Sequence, residues 1–90
     1  MNSYYAEITF DFDDEYSKEK EIFLDYLSSE HWINLNNERN WRIGFQKEIL
    51  DAERVQIIQN DLELASKVSK IKKVDYAVIT KESLFIGRIN

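Results

Sequence analysis

The chain has 90 residues, of which 43% are hydrophobic and 32% are charged, and its formal net charge is −5. A chain of this length has room for one hydrophobic core, so we expect a single domain over residues 1–90. The absence of cysteine excludes disulfides, thiol catalysis and cysteine-bound zinc.

Most of the negative charge lies in the first thirty residues. They hold nine acids against Lys18 and Lys20, a net of −7, whereas residues 31–90 have a net of +2. A field of one sign favours basic proteins as partners and disfavours direct nucleic-acid binding. No apolar run approaches the ~18 residues of a membrane span, and the N-terminus lacks a secretion-signal pattern. We therefore expect a cytoplasmic protein that makes no membrane contact.

The first predicted element is Tyr4–Phe12, which alternates strictly between apolar and polar residues. This period of two predicts a strand with one buried side and one side that faces water. The polar side carries Tyr5, Glu7 and Asp11.

A helix is predicted to follow this strand. Asp13, Asp14 and Glu15 suit a helix start, because acidic side chains accept its free N–H groups and complement its dipole. Apolar residues then recur at helical spacing from Tyr16, which predicts an amphipathic helix of roughly four turns that ends near Ser28–Glu30.

A hairpin comes next. Residues 31–35 form a short strand candidate, residues 36–40 have the composition of a turn, and residues 41–45 alternate with Trp41 and Ile43 on one face. A second helix is predicted to start at Asp51 and to end in a cluster of lysines, which suits the negative end of its dipole. Two β-prone runs complete the chain, at residues 74–80 and at Leu84–Ile89.

This order of elements predicts an α+β fold, namely a ferredoxin-like βαββαβ sandwich. Its antiparallel sheet would carry two helices on one face and an extra short C-terminal strand. The covered face would contain Ile8, Phe10, Phe12, Trp41, Ile43 and Phe45. The other face would stay open, with Trp32 and Arg42 from the hairpin beside the polar side of the first strand.

Exposed aromatic residues among polar ones are typical of protein-binding surfaces. The predicted partner-binding residues combine the open face with the acidic helix start: Tyr5, Glu7, Asp11, Asp13, Asp14, Glu15, Glu19, Trp32 and Arg42. RNA recognition by base stacking needs aromatic residues on the third strand, where the open face instead has Arg42 and Gly44.

The sequence favours a binding protein over an enzyme. His31 is the sole histidine, and no catalytic triad, His-x-x-His pair or glycine-rich phosphate loop is present. We therefore predict no cofactor, no resident metal and no catalytic residue.

An alternative activity comes from the stretch Ile8 to Asp13, Ile-Thr-Phe-Asp-Phe-Asp. It resembles the end of the first strand in small ferredoxin-like nucleases of the Cas2 and VapD kind, which carry an acidic residue there. The resemblance implies a metal-dependent endoribonuclease that uses Asp11 and Asp13. Helix capping by the same acids is the competing interpretation.

The favoured hypothesis is a small acidic interaction module of the immunity-protein, antitoxin or anti-CRISPR-like type. Its partner would be a basic or nucleic-acid-handling protein, reached by electrostatic steering. A regulatory domain that binds a small ligand between two copies is a third alternative. The strand Leu84–Ile89 would pair within its own sheet, or it would add to another chain. Pairing with a second copy would form a homodimer, and pairing with a partner would extend the partner's sheet.

Overall fold

The computed structural model describes residues 4–45, 50–80 and 83–90. Its elements are β1 (Tyr4–Phe12), a 3₁₀ turn (Asp14–Tyr16), α1 (Ser17–Ser29), β2 (Ile33–Asn34), β3 (Asn40–Phe45), α2 (Asp51–Ser69), β4 (Val74–Ile79) and β5 (Leu84–Ile89). The predicted bounds of β1 and β5 are confirmed, as is the start of α2. Among these residues, no helix is both long enough and apolar enough to cross a membrane.

The five strands form one sheet in the order β2-β3-β1-β4-β5, and every neighbouring pair is antiparallel. The central strand β1 pairs with β3 on one side and with β4 on the other. Because each helix connects two strands that are not neighbours, the chain forms two interleaved split β-α-β units. The predicted ferredoxin-like sandwich with an extra strand is therefore confirmed.

The core lies between one face of the sheet and the two helices. From the sheet, Ile8, Phe10, Trp41 and Ile43 are buried as predicted, whereas Phe12 and Phe45 are half-buried at its margin. The helices and the loop after α2 complete the core with Phe23, Leu24, Leu27, Ile58, Leu62, Ala65 and Ile71. Burial of these apolar side chains is the main stabilising contribution to the fold.

At the β5 edge of the sheet, strands β4 and β5 pack closely through Tyr76 and Gly87. The two residues face each other across the strands, and the Tyr76 ring occupies the space where residue 87 would otherwise carry a Cβ. An added Cβ would lie 2.5 Å from the Tyr76 Cζ and Oη atoms. Glycine at position 87 therefore allows a large aromatic side chain to seal the core near the sheet edge.

The prediction that Trp32 lies on the open face is wrong. The side chain is only 3% exposed, stacks on Phe10 with ring centroids 6.3 Å apart, and donates from Nε1 to Asp61 Oδ2 at 2.9 Å. Strand β2 contains only Ile33 and Asn34, and His31 turns the chain with a φ of 71° just before it. Ile33 pairs with Arg42, so Ile33 takes the open face and the residue before it points to the core.

Candidate functional site

The open face of the sheet carries the side chains of alternate residues in all five strands. One row across it is Ile33, Arg42, Glu7, Ile79 and Leu84; the next is Asn40, Thr9, Ala77 and Ile86; a third is Asp11, Asp75 and Arg88. Both helices lie on the other side, so these side chains meet solvent.

Three of the predicted partner-binding residues contact one another on this face. The Arg42 guanidinium lies 4.3 Å from the centroid of the Tyr5 ring, and its Nη2 is 3.6 Å from Glu7 Oε1. A cation stacked on an aromatic ring and paired with a carboxylate is a local surface stabilisation. The Tyr5 ring and the Glu7 carboxylate together compensate the Arg42 charge, so this cluster offers little uncompensated charge to a partner. The buried Nε of Arg42 has no hydrogen-bond partner among the described residues.

The apolar part of the open face lies towards β5 and was not predicted. Ile79, Leu84 and Ile86 are 45%, 62% and 73% exposed, and the register places them side by side. The available signal was the unbroken apolar run from Leu84 to Ile86, which places apolar side chains on both faces of the strand.

The predicted acids at the end of β1 lie next to lysine and arginine side chains. Asp11, Asp13 and Asp75 border one small cavity together with Lys73 from the loop after α2. A hydrogen bond from Arg88, together with the nearby charges of Arg88 and Lys73, holds the pKa of Asp75 below its ordinary value. The negative field of the first thirty residues is therefore partly offset at this end.

The helix-capping interpretation accounts for Asp13, because its Oδ1 accepts the backbone N–H of Glu15 at 3.2 Å. Within residues 4–45, 50–80 and 83–90, no three carboxylate or histidine side chains are placed to hold a metal ion. The nuclease alternative thus gains no support from the geometry and stays a prediction. Mg²⁺-dependent RNA cleavage that disappears in Asp11→Asn would establish it.

A groove lies between α1 and the β2–β3 hairpin. Its volume is about 480 Å³. Its lining combines apolar, polar and charged side chains: Ser17, Lys20, Glu21, Leu24, Asp25, Ser28, Asn34, Glu38 and Trp41. We call it the helix–hairpin groove.

The walls of the helix–hairpin groove are held in place by polar contacts. Lys20 Nζ pairs with Glu38 Oε1 at 2.9 Å and so ties α1 to the hairpin loop. Trp41 donates from Nε1 to the Glu38 carbonyl at 2.9 Å. The apolar surface of the groove comes from Leu24 and Trp41, both of which belong to the core.

Two carboxylates of the groove keep their charge uncompensated. Glu21 and Asp25 are exposed one turn apart on α1, and neither forms an ion pair with any residue in the described part of the chain. Like charges four residues apart destabilise a helix by about 0.2–0.5 kcal/mol. The pair Glu21 and Asp25 therefore slightly destabilises α1 at the wall of the helix–hairpin groove.

The remaining predicted acids, Asp14, Glu15 and Glu19, do not line this groove. Asp14 and Glu15 are exposed in the 3₁₀ turn before α1, and Glu19 is half-buried on α1 but does not line the groove. The sequence analysis missed Glu21, Asp25 and Glu38 as site residues. The i, i+4 spacing of Glu21 and Asp25 was a signal, but their position beside the hairpin depends on tertiary packing.

Compared with protein-family models, curated proteins and solved structures, the chain matches none of them. Its function is therefore argued from its own residues.

Proposed function

We propose that this chain is a small acidic interaction module that binds a basic or nucleic-acid-handling protein, in the manner of immunity proteins, antitoxins and anti-CRISPR-like inhibitors. The observation that carries the proposal is the helix–hairpin groove, where two uncompensated carboxylates border an apolar floor. The surplus of acids in residues 1–30 adds a field of the same sign around it.

The groove suits an arginine or lysine side chain of the partner. The aliphatic stem of such a side chain would lie on Leu24 and Trp41, and its charged end would meet Glu21 and Asp25. Long basic side chains bury their stems on apolar surface while their charge stays with a carboxylate or water. The same arrangement repels phosphate groups, which supports a protein partner rather than nucleic acid.

The test compares two doubly neutralised variants against a partner captured from the cells that make the chain. Glu21→Gln with Asp25→Asn removes the groove charges, whereas Glu53→Gln with Glu63→Gln removes two exposed charges of α2 and serves as the matched control. We expect the groove variant to lower the association rate about 10-fold and to flatten its dependence on salt. The control variant should bind almost as the wild type does, as measured by surface plasmon resonance.

Equal losses in both variants would mean that net charge alone attracts the partner, and the groove would lose its role. Binding that is independent of salt and of both variants would overturn the acidic-module proposal altogether.

A further inference from the structure

The two edges of the sheet differ sharply in how they are protected. At one edge, β2 is only two residues long and is followed by the polar hairpin loop. At the other edge, β5 runs for six residues without proline or lysine. A long exposed edge strand can pair with a strand of another chain. Proteins normally prevent this with a short edge strand, a charged residue or proline, a β-bulge, or a segment that covers the edge.

The backbone of β5 presents a regular set of hydrogen-bonding groups at this edge. The Thr80 N–H donates to the Ser83 carbonyl at 2.9 Å at the turn between β4 and β5. Because bonded pairs alternate along an antiparallel ladder, Phe85, Gly87 and Ile89 bond to β4. Leu84, Ile86 and Arg88 therefore direct their N–H and C=O groups to the open edge.

We propose that β5 pairs with β5 of a second copy, antiparallel and with a two-fold axis at Ile86, to form a continuous ten-stranded sheet. The proposal is independent of the function assigned to the helix–hairpin groove. In this register Ile86 lies opposite Ile86 of the second copy, and Leu84 lies opposite Arg88. The outward-directed N–H and C=O groups of Leu84, Ile86 and Arg88 then bond to those of the second copy, which gives about six intermolecular hydrogen bonds.

This register also continues the apolar row on the open face. Ala77 and Ile86 of one copy would lie in line with Ile86 and Ala77 of the other, so the most exposed apolar side chains of this face become neighbours. Cross-strand contact of β-branched residues and removal of apolar surface from water both favour the pair. Each Arg88 keeps its own Asp75 as an ion-pair partner.

Charge favours a second copy at this edge over one elsewhere on the surface. The acidic helix α1 lies beside β2 and β3, as the lining of the helix–hairpin groove shows, whereas α2 contacts β5. At β5 the only formal charge is Arg88, which Asp75 neutralises. Two chains of net charge −5 can therefore meet here with their most acidic surfaces far apart.

The first test measures mass in solution by sedimentation equilibrium. We expect a concentration-dependent dimer for the wild type and a monomer for Ile86→Lys, because the substitution places two like charges opposite each other. Ile33→Lys is the matched control, since Ile33 is an exposed residue of the same face at the other edge, and it should remain dimeric. Circular dichroism confirms that both variants fold.

The second test fixes the register by cross-linking, which is clean because the chain has no cysteine of its own. Residues opposite each other in a bonded pair have Cα atoms about 5.5 Å apart, within the range of a disulfide. Under mild oxidation Ile86→Cys should form a covalent dimer, whereas Leu84→Cys alone should not. A mixture of the Leu84→Cys and Arg88→Cys chains should link.

A wild-type chain that stays monomeric at about 0.5 mM would overturn the proposal. So would a dimer that Ile86→Lys leaves intact, or a dimer in which Leu84→Cys links to itself and Ile86→Cys does not. A monomer whose partner binding is lost in Ile86→Lys would assign the edge to a strand of a different protein.

Discussion

A single residue, Trp32, joins the sheet, the end of α1 and the middle of α2. Its ring stacks on Phe10, its backbone N–H donates to the Leu27 carbonyl, and its indole N–H donates to Asp61. A buried indole requires a hydrogen-bond acceptor, and Asp61 on α2 supplies a charged one. The residue is therefore part of the core and unavailable to a partner.

We expect Trp32→Phe to lower the free energy of unfolding by about 2 kcal/mol, because it keeps an aromatic ring but leaves the half-buried Asp61 without its donor. Urea unfolding of Trp32→Phe, Asp61→Ala and the double variant measures the coupling between the two side chains. Losses that simply add in the double variant would contradict the assigned hydrogen bond.

At the scale of elements, the pairing of β4 with β5 combines apolar packing with one ion pair. Tyr76 packs over Gly87 on the helix side, and Arg88 bonds to Asp75 on the open side. The hydrogen bond from Arg88 holds the pKa of the Asp75 carboxyl below its ordinary value. The Asp75 carboxylate therefore binds a proton more readily in the unfolded chain than in the folded protein. Protonation of Asp75 in acid thus favours unfolding.

We expect the stabilisation by Asp75 to be fully present at neutral pH and to be lost as the pH falls below about 4 and through the lower folded pKa. The wild type should therefore be more stable than Asp75→Asn at pH 7, and the two should converge in acid. Unfolding free energies measured against pH check this. Arg88→Gln should converge in the same way, and a constant difference across the range would contradict the assignment.

The elements differ in how far the sequence determines them. The alternation in Tyr4–Phe12 and the helical spacing after Tyr16 predicted β1 and α1 almost to the residue, because each pattern extends over many residues. The short strand β2 was predicted as residues 31–35. The left-handed turn at His31 decides which side chains of β2 face the core and which face solvent. A pattern of two or three residues cannot show such a turn.

The candidate site was less accessible to prediction than the fold. Charge counting located the acidic third of the chain correctly, but it could not show that Lys73 lies beside Asp11 and Asp13. Nor could it show that the hairpin brings Glu38 and Trp41 to α1. Both facts depend on the tertiary arrangement of segments distant in sequence.

At the scale of the whole molecule, the two proposed surfaces lie at opposite edges of the sheet. The helix–hairpin groove adjoins β2 and β3, and the self-pairing edge is β5. A partner in the groove and a second copy at β5 therefore do not compete for space. The structure is compatible with a complex of two chains and two partner molecules.

We expect light scattering of the complex to give a stoichiometry of two chains to two partners, because each groove lies far from the two-fold axis. Ile86→Lys should reduce this to one chain and one partner, with little change in the intrinsic affinity of a single groove. A wild-type complex of two chains with one partner would contradict independent grooves.

The separation of the two edges also has a consequence for binding strength. A ten-stranded dimer would hold its two grooves at a fixed spacing, with no flexible linker to order on binding. Against a target that is itself dimeric, with its two basic sites at that spacing, the second contact becomes intramolecular, and avidity can exceed the affinity of one groove by about 10²–10⁴-fold. Two grooves of modest individual affinity would then give long-lived inhibition, but only of targets whose basic sites match the spacing of the grooves.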